Sequence, residues 1–288
     1  MEIIRDLILD EERALYALSD SEVIHCIFDG PADGESALKE SRNNLIKDCH
    51  FRLRYPLWHV VGGRMEGCDM NETCRAALWY ASDMTIQNST LGGIKALREC
   101  DRMVLAGCRI DSAEFGWLCR DITLQDSTLT AEYAFFGTKK LTVDGLSMKG
   151  KYSFQYVEDV TIENSVLDTK DAFWHSKRVT VKNSTVKGEY LGWYAEDLTL
   201  INCHIVGTQP LCYCKHLTLM DCTTEGCDLS FENSSVEATV KGHIHSVKSP
   251  ASGYIKADSI GDIVYEKAPT DGQGCVITVH GCATADRE

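Results

Sequence analysis

Between residues 84 and 221 apolar and polar positions alternate in short bursts that recur at a fixed interval. Met84-Thr85-Ile86-Gln87-Asn88-Ser89, Ile122-Thr123-Leu124-Gln125-Asp126-Ser127, Val160-Thr161-Ile162-Glu163-Asn164-Ser165, Val179-Thr180-Val181-Lys182-Asn183-Ser184 and Leu198-Thr199-Leu200-Ile201-Asn202-Cys203 share one pattern. A threonine between two apolar residues gives the period-two alternation of a strand with one buried face. Steps of nineteen from Asn88 land on Gly107, Asp126, Gly145, Asn164, Asn183, Asn202 and Asp221. Two residues are inserted before Asn88, and Gly67 and Asp48 continue the series backwards. Every one is Asn, Asp or Gly, the types that most readily take a left-handed backbone. A sharp corner is expected at each.

Nineteen residues that supply a strand, a corner and further extended segments leave no space for a helix of ordinary length. A leucine-rich repeat also carries a periodic Asn. Its unit runs 20–29 residues, however, and its Asn follows the last strand leucine by three positions; here Leu200 to Asn202 is two. The pattern therefore predicts an all-β chain folded as one single-stranded parallel β-helix with 19-residue rungs. Residues 1–35 are expected to form an N-terminal cap and a degenerate first rung, with Val23–Phe28 as its strand and 29–35 as its loop. Residues 36–235 form the regular rungs, 236–280 irregular closing rungs (Val236–Ile244, Gly253–Ile260 and Cys275–His280), and 281–288 a flexible tail. All belong to one domain.

Charge narrows the partners. Twenty-nine basic against 43 acidic residues give −14, which disfavours nucleic acid and an anionic membrane. No signal peptide or apolar span is evident, so a cytoplasmic location is expected. The 14 cysteines then read as free thiols. Five of them share one column with serine after the corner (Cys49, Cys68, Ser89, Cys108, Ser127, Ser165, Ser184, Cys203, Cys222), a small space-filler more than a metal ligand. Cys212 with Cys214 and His243 with His245 are the nearest approach to a metal set, and no metal or other cofactor is assigned. A second column, Asp83, Arg102, Asp121, Lys140, Asp159, Arg178, Asp197 and His216, alternates in sign. It is expected to form a solvated cross-strand ladder.

Candidate chemistry lies in the aromatic half of the rung. One column reads Lys39, Trp58, Trp79, Arg98, Trp117, Phe136, Gln155, Trp174, Trp193, Cys212 and Phe231; the next reads Glu40, His59, Tyr80, Glu99, Leu118, Gly137, Tyr156, His175, Tyr194, Tyr213 and Glu232. If both lie on strands, one column faces inward. The parity set that holds the tryptophans has fewer charges, so the Trp column is expected to face the core. Charged and polar ring residues concentrate in four early rungs: Lys39, Glu40, Arg54, His59, Arg75, Tyr80, Lys95, Arg98 and Glu99. One reading is a binding site for a carbohydrate-like or anionic small molecule, held by Arg and Lys and stacked on Trp or Tyr. The other is internal ion pairing, with Lys39 stacked on Trp58 and Arg98 between Trp79 and Trp117. The exposed tyrosines Tyr133, Tyr152, Tyr156, Tyr190, Tyr194 and Tyr213 read either as a sugar-stacking strip or as an ordinary amphipathic surface.

The strings Leu38-Lys39-Glu40-Ser41, Arg54-Tyr55-Pro56-Leu57-Trp58-His59, Thr73-Cys74-Arg75-Ala76-Ala77-Leu78-Trp79-Tyr80 and Lys95-Ala96-Leu97-Arg98-Glu99-Cys100 resemble a bacterial family annotated only as a domain of unknown function. That family is similar to the right-handed β-helix superfamily of pectate lyases and polygalacturonases. The resemblance implies right-handedness and a bacterial source, and no catalytic residues. A glycosidase needs two carboxyls ~5–9.5 Å apart. Glu40 and Glu99 stand three rungs apart, roughly 14 Å, and so do successive members of the series Glu114, Asp171 and Asp228. The acidic calcium site and long loops of pectate lyases are also missing. Whether the chain is an enzyme stays open. The surviving functions are a binder or modifier of a carbohydrate-like or anionic molecule on the early rungs, and a non-catalytic structural or interaction solenoid, with a homo-oligomer as one form of the latter.

Overall fold

A computed structural model describes residues 1–31, 35–266 and 274–279. The expected tail at 281–288, His280 and positions 32–34 of the expected 29–35 loop lie outside the described residues. Described residues contain strands, turns and bends, with no helix, and every strand pairing among them is parallel. The chain is a parallel β-solenoid. It divides into two compact units, Met1–Gly150 and Lys151–Glu288.

In the first unit the long strands Arg42–Lys47, Val61–Glu66, Ser82–Gln87, Asp101–Ala106, Arg120–Gln125 and Lys139–Asp144 stack in register. Thr85 pairs with Val104 and Val104 with Thr123, nineteen residues on each time. The apolar partners Met65, Ile86, Leu105, Leu124 and Val143 are buried. A second side carries Phe51, Met70, Leu91, Ile110 and Leu129, all buried. Residues 1–31 do more than cap this stack: Ile3–Arg5 pairs with Glu22–Ile24, and Ile8–Leu9 with Ile27–Phe28. The second unit repeats the scheme with Glu158–Glu163, Lys177–Lys182, Glu196–Ile201 and Leu217–Glu225. Its closing strands are longer than expected, Ser235–Lys248 and Ser252–Val264, with Cys275–Val279 last. There the register drifts, Ser235 meeting Ser252 and Gly253 meeting Cys275.

All ten expected corner residues, from Asp48 to Asp221, have positive φ, between +43° and +68°. His25 and Asp6, at φ +52° and +57°, extend the column where four extra residues between Glu22 and Leu45 hide the period. The choice of corner residue also has a packing cause. In the first unit Asn or Asp alternates with Gly, because each carboxamide or carboxylate reaches into the space above it. A Cβ on Gly107 would stand 2.6 Å from Asn88 Oδ1, and one on Gly145 2.7 Å from Asp126 Oδ1. Gly107→Ala, at φ +64°, is expected to cost about 1–2 kcal/mol. Asn88→Gly in the same chain should recover the part due to the clash. Equal urea midpoints for Gly107→Ala and the parent would refute this packing.

The Cys/Ser column follows from an orphaned amide. The Cys68 amide donates to Ser89 Oγ at 3.1 Å and the Cys108 amide to Ser127 Oγ at 3.0 Å, while the Cys49 amide donates to Cys68 Sγ at 3.4 Å. A thiol or hydroxyl serves equally well to fill that position. Burial pushes the Cys74 and Cys214 thiols up to about 12, as expected of inert core cysteines.

Candidate functional site

The alternating charges form a ladder at the second position of the long strands. Asp83, Arg102, Asp121 and Lys140 all have positive φ, a bulge just inside each long strand. Arg102 embraces Asp83 with Nε–Oδ1 at 2.5 Å and Nη2–Oδ2 at 2.8 Å. These bonds hold the Asp83 carboxyl below its ordinary range. In the second unit Arg178 Nε donates to Asp159 at 2.6 Å and His216 Nδ1 lies 3.0 Å from Asp197. Asp83, Arg102, Asp159, Arg178, Asp197 and His216 in this column thus have a structural neighbour to answer to.

The Trp column does not face the core. Trp58, Trp79, Trp117, Trp174 and Trp193 are half-buried, whereas Leu57, Leu78, Leu97, Phe135 and Phe173 just before that column, and Val60, Ala81, Cys100 and Cys119 two after it, are buried. The parity rule fails because the intervening column is not extended. Glu40, His59, Tyr80, Glu99 and Leu118, and in the other unit Tyr156, His175, Tyr194 and Tyr213, all have positive φ, between +50° and +62°. The chain turns there, so both the Trp and its successor point outward. The indole N–H explains the later part of the column: Trp117 donates to the Tyr133 carbonyl at 2.8 Å, Trp174 to Tyr190 at 2.7 Å and Trp193 to Gln209 at 2.8 Å, whereas Trp58 Nε1 is buried without a partner among the described residues. Gln155 replaces a Trp and donates to the Asp171 carbonyl at 3.3 Å.

The early-rung residues are brought together, largely as partners of one another. Lys39 Nζ sits 4.4 Å from the Trp58 ring centroid and 4.0 Å from Glu40, which accepts from Tyr16 Oη at 2.6 Å. Arg54 pairs with Glu35 at 2.9 Å. Arg98 lies between Trp79 and Trp117, at 5.4 and 5.5 Å from their centroids. Its guanidinium reaches Glu99 at 3.3 Å and Glu114 at 3.8 Å, and Lys95 reaches Glu114 at 3.6 Å. Glu99 also accepts from Trp79 Nε1 at 3.3 Å. His59 and Tyr80 are exposed, with ring centroids 4.9 Å apart. Arg75 is exposed and makes no ion pair with a described residue.

Among the later aromatics, Tyr156, His175, Tyr194 and Tyr213 stack ring on ring at 5.1, 4.9 and 5.0 Å with interplanar angles of 13°, 7° and 14°. Their faces cover each other, so this column offers ring edges where sugar stacking needs open faces. His243 Nδ1 contacts Ser259 Oγ at 2.9 Å, and Cys214 Sγ donates to the Gly192 carbonyl at 3.0 Å. No three His, Cys, Asp or Glu side chains converge among the described residues.

One concavity was not anticipated. Phe51, Met70 and Leu91 are stacked partners, and the left-handed residues Tyr55, Ala76 and Lys95 are equivalent positions further along, the Tyr55 amide bonding the Arg75 carbonyl and the Ala76 amide the Ile94 carbonyl. The middle coil thus carries two more residues than either neighbour, in the segment Asn71–Arg75. Asn71 Oδ1 closes it as a turn by accepting from Thr73 N at 3.2 Å and Oγ1 at 2.6 Å. The segment leans on Gly92 and Gly93, whose Cβ atoms would stand 2.8 Å from the Asn71 carbonyl carbon and 3.1 Å from the Glu72 oxygen. The result is a depression of about 490 Å³ over three coils. Asp69, Met70, Asn71 and Glu72 form one wall, Thr90, Gly92, Gly93 and Ile94 the floor, and Arg109, Asp111 and Ala113 the other wall.

These features define a parallel β-solenoid with an insertion-built surface depression. Residues 2–278 match the family described as "Protein of unknown function (DUF3737)", and the chain belongs to that family. No curated protein matches the chain. Among solved structures it is similar to the tailspike protein gp49 of Pseudomonas phage LKA1, at 8% identity and TM-score 0.40, covering 97% of this chain and 49% of that one. It is similar to the tailspike of E. coli bacteriophage HK620, in complex with a pentasaccharide, at 11% identity and TM-score 0.37, covering 92% and 65%. It is also similar to PfbA, a surface adhesin of Streptococcus pneumoniae, at 9% identity and TM-score 0.31, covering 77% and 83%. The chain spans about half the length of the first tailspike, and these likenesses are of fold.

Proposed function

We propose that this protein is a binding solenoid that takes a carbohydrate-like ligand in the depression on its early coils. The observation that carries the reading is the two-residue insertion at Asn71–Arg75, which raises a wall beside Gly92 and Gly93. Insertions in repeat proteins map to one face, often the binding face. The lining suits a polyhydroxylated molecule: Asn71, Thr90, Arg109 and Asp111 supply donors and acceptors, and Ile94 and Ala113 an apolar patch for a C–H face. The ladder of buried thiols supports a reducing compartment such as the cytoplasm.

Calorimetric titration with neutral mono- and oligosaccharides tests the reading. Binding should be lost in Thr90→Lys, whose longer side chain fills the floor, while the melting temperature stays unchanged. Silence with neutral, acidic and amino sugars alike, or undiminished binding in Thr90→Lys, would rule the depression out.

A second reading, a structural or protein-interaction solenoid, is favoured by the internal neutralisation of Lys39, Arg54, Lys95 and Arg98. It assigns the early-rung charges to bracing and needs no ligand.

A further inference from the structure

We infer that the ligand of the depression is amphoteric, an amino sugar that also carries a carboxylate. This rests on the carbohydrate reading above. On the same coils most charges answer one another: Arg52 pairs with Asp69 at 2.5 Å, and Arg102 with Asp83. Around the depression three do not. Glu72, Arg109 and Asp111 line it, are exposed, and make no ion pair with a described residue.

Their placement sets the ligand's charges. Arg109 and Asp111 project from one face of the strand Arg109–Asp111, two residues and ~6.6 Å apart at the backbone. Glu72 stands on the lip two coils away, ~10 Å along the stack. A ligand with a carboxylate on Arg109 and an ammonium against Asp111 or Glu72 matches both signs. A purely anionic ligand meets two carboxylates, and a purely cationic one meets Arg109, so each suffers like-charge juxtaposition. An α-amino acid carries its charges on one carbon, too close together to span from Arg109 to Glu72. Substituents on neighbouring ring carbons of a sugar are better spaced, and the ring's apolar face can rest on Ile94.

The test is titration of the full chain at low salt with N-acetylglucosamine, glucosamine, glucuronate and muramic acid, which are neutral, cationic, anionic and amphoteric. Muramic acid should bind about tenfold or more tightly than each of the others, a step set by one well-made charged contact. Its advantage over glucosamine should vanish in Arg109→Gln, and its advantage over glucuronate should shrink in Asp111→Asn. Both variants should melt with the parent, because both side chains are exposed. Equal affinity for N-acetylglucosamine and muramic acid would overturn the amphoteric inference and leave the carbohydrate reading standing. So would binding of neutral oligosaccharides with none of the four probes bound. No binding by any sugar would overturn both, and an unchanged preference in Arg109→Gln would overturn the role given to that residue.

Discussion

Arg98→Ala is expected to lose about 2–3 kcal/mol of stability, the sum of two cation–π contacts at a partly desolvated site and a smaller ion-pair contribution. The Arg98 side chain is 20% exposed and fills the gap between Trp79 and Trp117, so its removal also leaves a void between the two indoles. Glu99 and Glu114 would lose a cation, but at 32% and 22% exposure they keep water, which holds the loss below that of a sealed ion pair. Arg98→Lys should fall between parent and Ala, since it keeps the charge and loses the planar stack. Glu99→Gln should cost under about 1 kcal/mol, because the amide oxygen can still accept from Trp79. Thermal unfolding of the three variants beside the parent decides the matter. A residue kept for a ligand leaves stability unchanged or improved when removed, so an Arg98→Ala protein that melts with the parent and no longer responds to acidic sugars would return the early-rung cluster to the status of a binding site.

The repeat was legible because a left-handed corner restricts residue type. Asp48, Gly67, Asn88 and their successors could be found by type and spacing alone, and all have positive φ. Tyr80, His59, Leu118 and Tyr194 take the same backbone, yet nothing in their identity announces it. The rings of His59, Tyr80 and Tyr194 stack on a neighbouring coil, a contact that no local pattern reveals. Once those positions turn, inside and outside no longer alternate, and the inward placement of the Trp column falls with that premise. Charge order survived better, since Asp83 and Arg102 attract each other on any backbone that stacks them in register. The depression was half visible. The two-residue insertion stands in the sequence before Asn88, but only the stacked partners of Met70 place it at Asn71–Arg75 and set Gly92 and Gly93 beneath it.

Asn183→Val is expected to destabilise by about 2–3 kcal/mol, combining a β-branched residue in the left-handed region with the loss of one side-chain hydrogen bond. Asn183 has φ +48°, its amide donates to the Ile201 carbonyl at 3.0 Å, and its Oδ1 accepts from Asn202 Nδ2 at 2.9 Å. Valine keeps the first bond only by holding a backbone that its branched Cβ opposes. Asn183→Gly separates the two causes: it relieves the backbone and still loses the carboxamide bond, so about 1 kcal/mol should remain. Thr180→Val, on the same strand with an outward, half-buried side chain paired between Thr161 and Thr199, should change stability little, since valine suits a pleated surface. Urea unfolding followed by far-ultraviolet circular dichroism gives the ranking directly. Equal midpoints for Asn183→Val and Thr180→Val would mean that the corner tolerates any side chain. The Asn/Asp/Gly column would then have to be explained by the amide ladder between coils and not by the turn of the chain.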